Sequence, residues 1–142
     1  MNDAGMGRRL HKIAAVLMMT SGITHVSQLA VYGLERSAVV AATFGAVYFG
    51  IGVALLGTRR AALWFGAALP TVGGVLGVYR FFFVIANPFS VLHVLIDIIV
   101  VPICAYLVVS ERARAARVDS RAHGPRHGVF AHEPNFGNRG NR

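Results

Sequence analysis

Four apolar runs constrain this chain more than anything else in it. They are residues Ile13 to Gly33, Ala38 to Gly57, Ala61 to Ala86 and Phe89 to Ser110. A helix needs about 20 predominantly apolar residues to cross the hydrocarbon layer, and each run supplies them. In lipid every backbone amide must be satisfied within its own segment, so runs of this kind are read as helices. The wider composition agrees, since apolar residues make up 55% of the chain and charged residues 14%, where about a quarter is usual. The sequence therefore predicts an all-α integral membrane four-helix bundle in the cell membrane, multi-pass. Its helices are placed at about 13–33, 38–57, 61–86 and 89–110. They lie within one transmembrane domain, residues 1–122, followed by a disordered basic C-terminal tail, residues 123–142.

The breaks between runs are short and polar. Leu34-Glu35-Arg36-Ser37 closes the first, Thr58-Arg59-Arg60 the second, and Asn87-Pro88 is a turn signal before the fourth. Pro70 and Pro102 fall inside runs, where kinks are expected. The first run follows a basic segment, as a cleaved leader would. A cut after Ala30 would, however, put Gln28 where a small residue is wanted, so a retained helix is expected. Beyond Ser110, Glu111 to Ala122 is helix-prone and continues the fourth helix. From Gly124 onward little can be buried. The tail histidines His123, His127 and His132 are loosely spaced and read as solvated. No phosphate-binding glycine loop, nucleophile elbow or CxxC pair is present, so a non-enzymatic role is expected.

Charge orients the bundle. The chain carries 14 Lys and Arg against 6 Asp and Glu, for a net charge of +8. Alternation of sides assigns 12 of the 14 basic residues to the side holding the termini. These are Arg8, Arg9, Lys12, Arg59, Arg60 and seven tail arginines. Both termini are therefore expected to be cytoplasmic. Arg112, Arg114, Arg117 and Arg121 read as a patch for anionic lipid headgroups on that side, rather than for nucleic acid. A larger membrane complex or a homo-oligomer is a further expected partner. The single cysteine, Cys104, permits no intrachain disulfide.

Small residues let membrane helices approach closely. The second run has Ala42, Ala46, Gly50 and Ala54 at spacing four. The third has Gly66, Pro70, Gly73 and Gly77. Ala46, Gly50, Gly73 and Gly77 are the predicted packing contacts. Arg80 follows three residues after Gly77 on the same face and should point inward.

Ionisable groups within spans are costly and mark functional candidates. Counted from the outer helix ends, His25 and Asp97 lie roughly 12 Å deep, Arg80 roughly 9 Å and His93 roughly 6 Å. Ser21, Gln28 and Tyr32 share the His25 face, and Tyr48 sits near mid-membrane. These positions predict a buried outer-leaflet network of His25, Gln28, Tyr48, Arg80, His93 and Asp97, centred on an Arg80–Asp97 ion pair. Such a network could be a lock that fixes bundle register. It could also be a site for a small polar ligand, or a transporter or channel pathway for protons or a small polar solute. His25, His93 and Asp97 would also make a two-histidine, one-carboxylate metal set, though Arg80 nearby would repel a cation. Two histidines could ligate haem, and a redox subunit holding haem or quinone is a further alternative, but no haem motif accompanies them, and the cofactor is left unassigned.

Two stretches resemble the DoxX-like small membrane proteins. VLMMTSGITHV (Val16 to Val26) is similar to that family's first helix, with Gly22 followed three residues later by a basic position. His25 fills that position here, where Lys is more usual. FGIGVALLGTRRAALWFGAAL (Phe49 to Leu69) is similar to the second-to-third helix junction. The resemblance covers the first half of the chain. It implies a four-helix bundle, and some members are similar to subunits of quinone-linked sulfur-oxidising complexes. Arg80, His93 and Asp97 have no counterpart in it, so it assigns no site residues.

Overall fold

The computed structural model describes residues 3–57, 59–83 and 88–122. These form four helices: α1 (Asp3–Tyr32), α2 (Arg36–Leu56), α3 (Arg60–Phe83) and α4 (Pro88–Ala122). All four are long and apolar enough to cross a membrane. The tail from His123, Thr58 of the second polar break and Asn87 of the predicted turn lie outside the described residues.

α1 begins well before the apolar run does. Lipid depth limits apolarity, not helicity. Met6, Arg8, Arg9, Leu10 and Lys12 are good helix formers, and no proline interrupts them. α4 likewise runs past Ser110 to Ala122, through a segment rich in Ala and Arg. It opens on Pro88, whose missing N–H costs nothing at a first helical position. Both helices with an internal proline, Pro70 in α3 and Pro102 in α4, continue through it as single elements.

The turn from α1 to α2 needs a glycine. Gly33 has φ of 68°, the left-handed conformation that closes many helices. Its N–H bonds back to the Leu29 carbonyl at 2.9 Å. Glu35 then caps α2 without a side-chain hydrogen bond, and its carbonyl accepts from Val39 N–H at 2.9 Å.

α1 packs along α2 and α3 along α4, while α1 also touches α4 and α2 meets α3 over a shorter stretch. The α1–α2 seam is unusually close. A Cβ built on Gly22 would stand 2.6 Å from the Gly45 carbonyl oxygen, and one on Gly45 would stand 2.6 Å from the Gly22 carbonyl oxygen. Gly52 repeats the approach one heptad on, against Ala15 and Met19. The buried face of α2 is Ala38, Gly45, Tyr48, Gly52 and Leu55. This corrects the spacing-four stripe on α2. Ala46 is exposed, and Gly50 has nothing within 4 Å of where a Cβ would be. A shift of one residue rotates the face by about 100°. Glycines 45 and 52, seven apart, bring the backbones together instead. On α3, Gly73 abuts the Tyr48 hydroxyl, and a Cβ built on Gly77 would stand 3.0 Å from Val94 Cγ2.

The exterior is apolar, unlike that of a water-soluble bundle, and several polar side chains lie inside among an otherwise apolar core. His11, Ser21, Gln28, His93 and Asp97 are buried, whereas Val16, Ile23, Phe65, Val75, Phe82, Phe83, Ile98 and Val109 are exposed. At the end of the bundle that holds α1's start and α4's C-terminal half, Glu111 serves two bases. Its carboxylate lies 3.8 Å from His11 Nε2 and 3.9 Å from Arg60 Nε. Beside it the Arg112 guanidinium stacks over Trp64 at 4.7 Å. Arg112, Arg114 and Arg117 are exposed along α4; the side chain of Arg121 is outside the described set. Between this cluster and the polar half of the bundle lies an apolar layer of Met18, Leu55, Leu63, Val100, Cys104 and Leu107, all buried.

Candidate functional site

A cavity of about 450 Å³ occupies the half of the bundle that carries the α1–α2 turn. All four helices contribute to it. His25 and Gln28 come from α1, Tyr48 from α2, Arg80 from α3, and His93 and Asp97 from α4. The six polar residues singled out in the sequence thus share one cavity. It reaches from Ser37 and Ser90, near the ends of α2 and α4, inward to Tyr48 and Asp97, between apolar walls that include Val40, Phe44 and Leu76. The cause is the diverging course of α2 and α3. They touch where Leu55 and Ile51 approach Gly66 and where Tyr48 abuts Gly73, and beyond Gly73 the cavity lies between them.

The two histidines pair as rings. His25 and His93 stack at 3.5 Å between centroids, with planes 7° apart, and Tyr48 presents its edge to His25 at 5.7 Å. Gln28 Nε2 donates to His25 Nδ1 at 3.3 Å, so the His25 proton belongs on Nε2. The Thr24 hydroxyl has one proton and two carbonyls within reach, those of Ser21 at 2.9 Å and Thr20 at 3.0 Å. Giving its proton to these leaves Thr24 Oγ1 to accept from His93 Nε2–H at 2.8 Å. Thr24 is absent from the sequence-derived set. Its place three residues after Ser21 and four before Gln28, on their face, was the available signal. Tyr32, placed on the His25 face by spacing, is instead exposed and meets Phe89 edge-on at 6.2 Å.

The predicted Arg80–Asp97 ion pair does not form. Among the described residues no carboxylate lies within 4.0 Å of Arg80, and its buried Nε has no hydrogen-bond partner. Asp97 turns to Tyr48, whose hydroxyl donates to Oδ2 at 3.4 Å and lies 3.5 Å from the Leu69 carbonyl. Oδ1 is buried without a partner. The reason is register. Gly77 faces Val94, and Gly74 faces Asp97, which sets Arg80 opposite Val91. Asp97 is six residues deeper, roughly 9 Å, where the sequence estimate allowed only roughly 3 Å. Gly73 and Gly74 have no side chains, so the carboxylate settles against α3 at their level.

Nor do His25, His93 and Asp97 gather as a metal set; no such cluster of three occurs among the described residues. A porphyrin between His25 and His93 would need the two rings on opposite sides of it, and stacked rings at 3.5 Å leave no gap. On the far side of Asp97, an apolar groove of about 500 Å³ runs between Pro70 and Gly74 of α3 and Val94 and Pro102 of α4.

In this arrangement the site can hold a small molecule with hydrogen-bonding groups on an apolar body. Compared with protein-family models, curated proteins and solved structures, the chain matches none.

Proposed function

We propose that this protein is a multi-pass component of the cell membrane with both termini in the cytoplasm. In this reading it is a non-enzymatic accessory subunit or binding module, and its cavity takes a small ligand from the outer side. The apolar exterior supports insertion, because exposed side chains of this kind face lipid at no cost. The gathering of 12 of 14 basic residues toward the terminal end supports the orientation. The same asymmetry makes anionic headgroups the partner of Arg112, Arg114, Arg117 and Arg121. Kinship with the DoxX-like proteins is part of the proposal and rests on the two stretches that resemble them, Val16 to Val26 and Phe49 to Leu69.

One observation carries the binding reading. The cavity joins polar groups from four helices, and it holds two of the four buried polar atoms without partners among the described residues, Arg80 Nε and Asp97 Oδ1; the other two, His11 Nε2 and Ser21 Oγ, do not line it. A network that served only as a lock would satisfy its own buried groups. Its volume falls in the range of small-molecule pockets, about 300–1,000 Å³.

Passage of protons or a small solute is the second reading, favoured by the reach of the cavity from Ser37 to Asp97. Against it stands the apolar layer of Met18, Leu55, Leu63, Val100 and Leu107. Asp97 and Glu111 are fourteen residues apart on α4, roughly 21 Å, with no polar chain described between them. The test is mass spectrometry of small molecules extracted from purified wild-type protein and from Ala41→Phe, which fills the cavity from α2. Binding predicts a species retained by wild type and depleted in the variant. Identical extracts, together with a proton flux in liposomes, would favour passage instead.

A further inference from the structure

The charge of the cavity is lopsided along its length, and this bears on what it binds. Arg80 lies in the outer part, level with Val91 and so between Ser90 and His93. Among the described residues no carboxylate is within 4.0 Å of it. Among the described residues the one acidic group lining the cavity, Asp97, is roughly 9 Å deeper, and Tyr48 has engaged it. Other groups at the outer level can donate to an anion. Ser37 and Ser90 bring hydroxyls, and Gln28 fixes the His25 proton on Nε2. Guanidinium is a strong partner for carboxylate or phosphate, and it cannot shed its charge to adapt to apolar surroundings. Val40, Phe44 and Leu76 line the same space and fit an apolar body.

We infer that the cavity binds an amphipathic organic anion whose acidic head pairs with Arg80 and whose apolar body lies against Val40, Phe44 and Leu76. This rests on the binding reading above and adds the class of ligand. A cation is disfavoured by Arg80, and a fully polar solute by the walls. The acidic head could belong to a freely diffusing acid or to an anionic lipid, since both present the same chemistry to the guanidinium.

The test uses purified full-length protein and two fluorescent probes of one shape, 2-naphthoate and its neutral counterpart 2-naphthamide, titrated by anisotropy. Wild type should bind naphthoate at least tenfold more tightly than naphthamide. Arg80→Gln should abolish the preference, and Arg80→Lys should keep part of it. Leu76→Trp, at an exposed position lining the cavity, should weaken both probes by narrowing the space. Thermal unfolding confirms that each variant is folded. Equal binding of the two probes to wild type, weakened by Leu76→Trp, would overturn the anion inference and leave the binding reading standing. Binding of neither probe, or binding indifferent to Leu76→Trp, would overturn both. A second arm compares phosphatidylcholine with phosphatidylglycerol nanodiscs at high salt. Weaker naphthoate binding in phosphatidylglycerol, erased by Arg80→Gln, assigns the head to a lipid. Equal affinity assigns it to a free acid.

Discussion

Gly22→Ala is the sharpest probe of how this bundle is packed. The added Cβ would stand 2.6 Å from the Gly45 carbonyl oxygen and 2.8 Å from the Phe49 backbone nitrogen, where ordinary contact begins at 3.4 Å. The larger shortfall is 3.4 minus 2.6, or 0.8 Å. Both obstacles are backbone atoms, so no side chain can rotate away, and α1 and α2 must separate along their length. Overpacking of this kind costs about 1–3 kcal/mol, which for a chain of this size lowers the melting temperature by roughly 3–10 °C. Gly50→Ala is the control, because nothing lies within 4 Å of its new methyl. Relief of glycine's backbone freedom should leave it neutral or stabilising by up to about 1 kcal/mol. The assay is thermal unfolding in detergent followed by Trp64 fluorescence. If Gly50→Ala loses stability while Gly22→Ala keeps it, α2 packs through Ala46 and Gly50 after all, and the seam described here is wrong.

The remaining predictions concern the polar half and the topology. Arg80→Gln and Asp97→Asn should each change stability independently, with the double variant additive to within about 0.5 kcal/mol, as for residues more than 7–10 Å apart; a coupling above about 1 kcal/mol in a double-mutant cycle would restore the ion pair. Thr24→Val should cost more than Tyr48→Phe, about 1–2 kcal/mol against under about 1, since it removes the 2.8 Å bond to His93 Nε2 and leaves the ring only the Ser21 backbone, while the Tyr48 bonds are long; the reverse order in thermal unfolding would refute the hydrogen-bond assignment. In a Cys104→Ala background, cysteines at Ser37 and Ser90 should react with a membrane-impermeant maleimide on intact cells and one at Arg59 should not; the opposite pattern inverts the proposed orientation. Glu111→Gln releases His11 and Arg60 but should cost under about 1 kcal/mol, because the pairs are long and partly exposed; a loss of several kcal/mol would show that the cluster clamps the bundle.

Helix number was legible from the runs alone, because hydrocarbon thickness and the 1.5 Å rise tie apolar length to a span. Helix ends were less so. The start of α1 at Asp3 and the end of α4 at Ala122 lie where apolarity has stopped but helix propensity has not. Depth was also partly legible. His25, Arg80, His93 and Asp97 were all placed in one half of the bundle by counting, and one cavity contains them.

Rotation and register were not legible, and they decide the chemistry. On α2 two sets of small residues run side by side, Ala46 and Gly50 against Gly45 and Gly52, and composition cannot choose between them. What chooses is the partner: Gly22 on α1 meets the α2 backbone at Gly45 and Phe49, and the Gly45 position aligns Tyr48 inward with it. Between α3 and α4 the sequence offered a turn at Asn87-Pro88 as the point of reflection, but hydropathy does not fix how a connection is routed. The side chains do. Gly77 admits Val94, and Gly73 and Gly74 admit the Asp97 carboxylate, a register four residues away from the symmetric one. That slip separates two charges that counting would have paired. It gives Asp97 to Tyr48 and leaves Arg80 lining the cavity with no carboxylate within 4.0 Å among the described residues.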